Sequence, residues 1–279
     1  CKGDRSLQSC REQGSGAVHP AGSGRGEEVI RMALRRAFGT IYLDGTPVRE
    51  GTAYRGNREF KIGNTQELKP IRWLQHGPLY IAESVVLSVI SFADLILQKY
   101  CDETTVLIDD VPFRCRLPQL GDRAGEPCEW LDLAKQFGIV KNRAAKDSWF
   151  WSRGNPLVPD ISPVSHLQDP EQYMILDWRL PDDSAGHPVG WRPIIEPVGI
   201  ELTADLIGTL IVAWSGEHAL CGKLVDMSEY DLVLDNVLSW PLIEEPSQRF
   251  FKPLKDHHFV VNRQALTLTH RWVRGMLET

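Results

Sequence analysis

The sequence predicts an α+β protein: a mixed segment of hairpins and two helices, followed by an all-β segment. Three observations carry this. Short apolar runs flank turn residues at Asp44-Gly45 and at His76-Gly77-Pro78. Helix-start chemistry occurs twice, at Ser91 with Asp94 three residues on, and at Pro127. From Leu206 the texture changes to short strands punctuated by Gly208, Gly216 and Gly222.

Composition bounds the class. The chain has 279 residues, 42% hydrophobic and 24% charged, which is ordinary for globular proteins and gives room for two domains. The net charge of -6 exerts no global pull toward nucleic acid or an anionic membrane. The longest apolar stretch, residues 79–97, contains Glu83, Asp94 and several serines, so it reads as a strand and a helix, not as a membrane span. No signal-peptide pattern is read, and a cytoplasmic or virion-associated protein is expected.

Six cysteines stand at positions 1, 10, 101, 115, 128 and 221 with no C-x-x-C pair, which argues against a zinc knuckle. Buried thiols in a reducing compartment are expected. A single bridge among Cys101, Cys115 and Cys128 is the alternative. The first 31 residues are rich in Gly, Ser and Arg and read as disorder. Met32 is expected to be the natural start, with Glu27-Glu28 ahead of it as a translated ribosome-binding site. A mature lipoprotein beginning at Cys1 is the competing explanation.

The elements follow in order. Residues 39–62 read as β, with a hairpin at Asp44-Gly45 and a closing strand at Phe60-Lys61-Ile62. A second hairpin spans residues 71–82, and residues 85–89 continue as strand. Ser91 caps a helix over residues 91–100, with Phe92, Leu95 and Ile96 on one face. Residues 105–113 read as strand, turn, strand. Pro127 opens a helix over residues 127–137, where Trp130, Ala134 and Phe137 recur at helical spacing before Gly138. Residues 146–197 hold five tryptophans and phenylalanines among prolines and aspartates that interrupt regular sheet.

Three landmarks share one frame: Val89-Ile90-Ser91-Phe92-Ala93-Asp94, then Arg116-Leu117-Pro118 with Glu129-Trp130, then Gly190-Trp191-Arg192. In this order they resemble the V-S-W-x-D-A, R-L-P-x-x-x-E-W and G-F/W-R landmarks of C-type-lectin-like domains of the formylglycine-generating-enzyme branch. The spacer between Arg116-Leu117-Pro118 and Glu129-Trp130 is longer than that pattern. Further on, Leu206 to Tyr230-Asp231-Leu232-Val233-Leu234 resembles the first motif of Sm-like barrels, and Phe259 to Leu268 resembles the second. The resemblances imply a leader over residues 1–37, a C-type-lectin-like domain with two helices over 38–198, and an Sm-like β barrel over 199–279.

Candidate binding residues follow from the residue types. Trp149, Trp151 and Arg153 alternate along one predicted strand face, and Trp178 and Arg179 lie in the long loop that forms the ligand surface in the lectin-like family. Core filling is the bland reading of Trp149, Trp151 and Trp191. In the barrel, Tyr230, Asp231, Asn262 and Arg263 are the candidate RNA or partner contacts. Charge disfavours RNA there. Asp231 repels phosphate, and residues 206–279 hold seven Lys plus Arg against nine Asp plus Glu. The barrel serves self-association or partner docking equally well.

No catalytic residue, metal site or cofactor is predicted. Cys115 and Cys128 match no catalytic cysteine motif of the formylglycine-generating branch and have no nearby His in sequence. None of the acidic pairs matches a lectin calcium motif, and His257-His258 would point to opposite strand faces. The expected function is a non-catalytic binding protein, bacterial and phage- or prophage-associated, that recognises a protein or glycan through the late loop. An RNA-associated role through the barrel is the alternative, and a formylglycine-generating-type oxidoreductase the further one.

Overall fold

Alternation of buried and more exposed side chains runs along residues 34–38, 104–108 and 111–116, and strands dominate the described residues. The computed structural model describes residues 34–119, 129, 149–153, 161–166, 173–175, 189–240 and 249–276; in the strand residues 149–153, 161–166, 173–175, 189 and 238–240 only the backbone is described. Among the described residues strand predominates and helix is scarce. This corrects the α+β expectation with two helices. Among the described residues there is one α-helix, Phe92–Leu97 (α1).

The reason lies at the two ends of α1. Its start is as predicted: the Ser91 hydroxyl accepts from the Asp94 backbone N–H, and the Asp94 carboxylate accepts from the Ser91 N–H. Its end comes early. Lys99 adopts a left-handed conformation, φ 66°, while Tyr100 N–H donates to Leu95 C=O at 2.8 Å and Lys99 N–H to Ile96 C=O at 2.9 Å. That paired closure is a Schellman motif, and it stops the helix after six residues. Of the second predicted helix, residues 127–137, only Glu129 is described, and it is helical.

In the first half the strands are β1 (Leu34–Phe38), β2 (Thr40–Leu43), β3 (Thr46–Val48), β4 (Thr52–Ala53), β5 (Phe60–Gly63), β6 (Ile71–His76), β7 (Leu79–Ala82) and β8 (Leu87–Ser88), then, after α1, β9 (Thr104–Ile108) and β10 (Val111–Arg116). Asp44 and Gly45, both at positive φ, make the tight turn between β2 and β3. Asp109 and Asp110 do the same between β9 and β10. The stretch at residues 85–89, read as continuous strand, pairs only at Leu87–Ser88, and Val89 turns out of it at φ 56°.

Further on come β11 (Trp149–Arg153), β12 (Ile161–His166), β13 (Tyr173–Ile175), β14 (Val189–Gly190) and β15 (Ile194–Pro197). β15 inserts into the first large sheet, whose order is β1-β6-β7-β15-β10-β9. Trp191, expected within a strand, makes an isolated bridge to Leu87 between β14 and β15. It is fully buried, with its ring centroid 4.6 Å from Tyr100 and 5.2 Å from Phe60. Arg192, also buried, donates through Nη1 to the carbonyls of Ala82 and Glu83 at 3.2 and 2.9 Å. Burial lowers its guanidinium to about 9, countered by Glu83 and Glu50, so it stays charged at neutral pH. The core of this half gathers Phe38 against Trp73, Tyr80 and Phe113. Each such ring removed from water contributes roughly 1.5–3 kcal/mol.

The last part of the chain builds a second six-stranded sheet from β16 (Leu210–Ser215), β17 (His218–Met227), β18 (Asp231–Trp240), β19 (Phe251–Pro253), β20 (Phe259–Asn262) and β21 (Leu268–Arg271). Its order is β19-β20-β18-β17-β16-β21. Register shifts between Cys221 and Lys223 and between Leu224 and Asp226 interrupt the pairing of β17 with β18, the mark of bulges. A 3₁₀ turn, Arg263–Ala265, separates β20 from β21 where the sequence reads as one continuous run. One face buries Leu220, Leu224, Leu232, Leu234, Phe250 and Val261. On the other face Val212, Trp214, Ala219 and Cys221 pack with Leu34 of β1. Val273 and Met276, beyond β21, return to the first core.

Candidate ligand-binding site

An open pocket of about 670 Å³ lies at one end of β18, β19 and β20. Tyr230, Asp231, Asn262 and Gln264 line its polar side, and Arg249 and Lys252 bracket Phe250 and Phe251 beside it, over Val260 and Ala265. Its size falls within the ordinary range for small-ligand sites, about 300–1,000 Å³.

Local chemistry holds these groups in place. The Ser228 hydroxyl accepts from the backbone N–H of Tyr230 at 3.2 Å and of Asp231 at 3.0 Å. This turn presents Tyr230 outward, and the residue is 58% exposed. The Arg263 backbone N–H donates to Tyr230 C=O at 2.8 Å, and its guanidinium donates to Ser228 C=O. Arg263 therefore braces the turn from beneath and does not line the pocket.

Asn262 ties three segments together. Its backbone N–H donates to Phe250 C=O at 2.9 Å, its Nδ2 donates to Arg249 C=O at 3.2 Å, and its Oδ1 accepts from Gln264 N–H at 2.9 Å. Phe251 stacks edgewise on Phe250 at 5.6 Å and tilts against Phe259 at 5.9 Å. These rings anchor β19, which carries Lys252, and the turn before it that holds Arg249. Both cations are exposed, and neither forms an ion pair with a described residue.

The structure thus brings together the four residues singled out in the C-terminal segment, three in the pocket wall and Arg263 behind it. Asp231 and Asn262 sit directly opposite one another across β18 and β20. Sequence reasoning missed Arg249, Lys252 and Gln264. The signal was present as Arg249-Phe250-Phe251-Lys252, an aromatic pair between two cations, but no strand partner was evident for it. Of the late-loop candidates, Trp149, Trp151 and Arg153 form the backbone of β11, paired with β12 and β14. Their side chains, and all of Trp178 and Arg179, lie outside the described residues.

Two cysteines are resolved as buried free thiols. Burial pushes the Cys115 thiol well up, partly offset by Arg116, and pushes Cys221 up to about 12. Neither is a thiolate at neutral pH, so neither is poised as a nucleophile. Among the described residues no three His, Cys, Asp or Glu side chains gather as metal ligands. Among them, too, no helix is long and apolar enough to cross a membrane. Comparison with protein-family models, with curated proteins and with solved structures found no match.

Proposed function

We propose that this chain is a binding protein whose recognition site is the pocket at the end of β18, β19 and β20. The observation that carries the reading is the combination at one opening of an exposed Tyr230 ring, a braced Asn262 amide and the two cations Arg249 and Lys252. Exposed Tyr and Arg side chains on a rigid support are the usual anchors of recognition surfaces. The strand order β21-β16-β17-β18-β20, with a 3₁₀ turn before the last strand, supports treating this sheet as a small barrel of the Sm-like kind. The late-loop candidates Trp178 and Arg179 lie outside the described residues.

A ¹⁵N NMR screen of the full chain tests it with three probes: trigalacturonate, a neutral maltotriose and a uridine pentanucleotide. Saturable shifts in the amides of residues 230–231, 249–252 and 260–265 with one of them, lost in Tyr230→Ala, are expected. No shift at these amides with any probe at millimolar concentration overturns the reading.

A further inference from the structure

We propose that this pocket takes an acidic saccharide, a sugar ring that carries a carboxylate. The inference rests on the reading of the pocket as the binding site and names its ligand class.

The charges on the pocket wall are mixed, and that mixture selects the ligand. Arg249 and Lys252 open on the pocket without an acidic partner among the described residues. Two such cations call for an anion, and a planar guanidinium fits a carboxylate with two parallel hydrogen bonds. Asp231, on the same wall, calls for the opposite: its carboxylate accepts hydrogen bonds and needs donors. Among described residues no donor reaches it, since the turn hydrogen bonds there use its backbone N–H and C=O. A sugar supplies both needs from one ring, hydroxyl donors for Asp231 and a carboxylate for Arg249 and Lys252.

The remaining groups fit the same ring. Tyr230 offers a flat, exposed face on which the C–H face of a pyranose can lie. The Gln264 side-chain amide, exposed at the rim, both donates and accepts, as ring hydroxyls require. One Asn262 N–H is also left after its bond to Arg249 C=O.

Other ligand classes fit less well. A nucleic-acid strand carries a phosphate per nucleotide, and its affinity rises with the number of cations that meet it. Residues 206–279 hold seven cationic against nine acidic side chains, too few cations to meet a run of phosphates. A peptide added as a strand needs a free sheet edge. The edge here, β19, is three residues long and ends at Pro253, which has no N–H to give.

Isothermal titration of the full chain with trigalacturonate, its methyl ester and a uridine pentanucleotide tests the proposal. The acid should bind at least tenfold more tightly than the ester. Arg249→Ala with Lys252→Ala should remove that advantage, so that acid and ester bind alike, while the melting temperature stays in place. Equal affinity for acid and ester overturns the role of the carboxylate. Binding of the pentanucleotide alone overturns the saccharide and leaves the binding function standing. No heat with either saccharide, when the NMR screen shows a ligand at the pocket, likewise overturns only the ligand class. Silence at the pocket in that screen overturns both.

Discussion

The Arg116 guanidinium and the Glu129 carboxylate meet in a bidentate pair, Nη1 to Oε2 at 2.7 Å and Nη2 to Oε1 at 2.6 Å. The same carboxylate accepts from the Gln119 backbone N–H at 2.8 Å. Burial works against the charge on Arg116, but the hydrogen bond and charge of Glu129, with Glu196 and Glu103, outweigh it and hold the guanidinium above its ordinary value. The pair therefore fastens residues 116–119 to a point ten or more residues on. Glu129→Ala leaves the guanidinium and the Gln119 N–H without this acceptor. A loss of about 1.5–3 kcal/mol is expected, the range for hydrogen bonds to charged groups. Urea denaturation of Glu129→Ala, Arg116→Met and the double variant measures it. The double variant should lose less than the two single losses added together.

Acid should weaken the C-terminal sheet through His270. This imidazole is fully buried, accepts from Trp214 Nε1 at 3.0 Å and donates from Nδ1 to Arg271 C=O at 2.7 Å. Burial lowers it to about 4, partly offset by the Arg271 carbonyl. The folded-state value is depressed below the unfolded one, so between pH 6.5 and 4 the unfolded chain binds the extra proton. Stability is thus full above pH 6.5 and falls as acid is added, by about 1.4 kcal/mol per pH unit and about 3 kcal/mol in all. Chemical denaturation at pH 7.5 and pH 5.0 should show this drop in the parent chain. It should be smaller in His270→Gln, whose amide oxygen can still accept from Trp214.

Gly275 holds the end of the chain against β1. Its φ is +88°, and a Cβ there would fall on the Ala37 carbonyl oxygen. Gly275→Ala should destabilise the protein by more than about 1 kcal/mol, from strain plus displacement of Val273 and Met276 from the first core. Hydrogen exchange should locate the loss in the amides of Leu34–Phe38. Unchanged protection in that strand would show that the C-terminal residues do not support it.

Legibility in the sequence followed the range of the interactions. The Ser91 capping box and the Asp44-Gly45 turn act over three or four residues, and both were readable. The length of α1 was not, because its end depends on Lys99 taking a left-handed conformation that residue type does not announce. The insertion of β15 between β7 and β10 joins residues more than a hundred positions apart, which no local pattern encodes. The site shows the same division. Tyr230, Asp231, Asn262 and Arg263 stood out through a motif resemblance. Arg249 and Lys252 join them only because β19 pairs with β20, and that pairing was not visible in advance.

Parallel binding and melting measurements on Tyr230→Ala and Trp178→Ala, with trigalacturonate as the probe, test the central claim most directly. Tyr230 is 58% exposed, so its truncation should move stability by no more than ~0.5 kcal/mol. The account predicts that Tyr230→Ala abolishes binding with an unchanged melting temperature, while Trp178→Ala binds as the parent does. Full binding by Tyr230→Ala together with loss of binding in a folded Trp178→Ala would contradict it and move the recognition surface to the late loop.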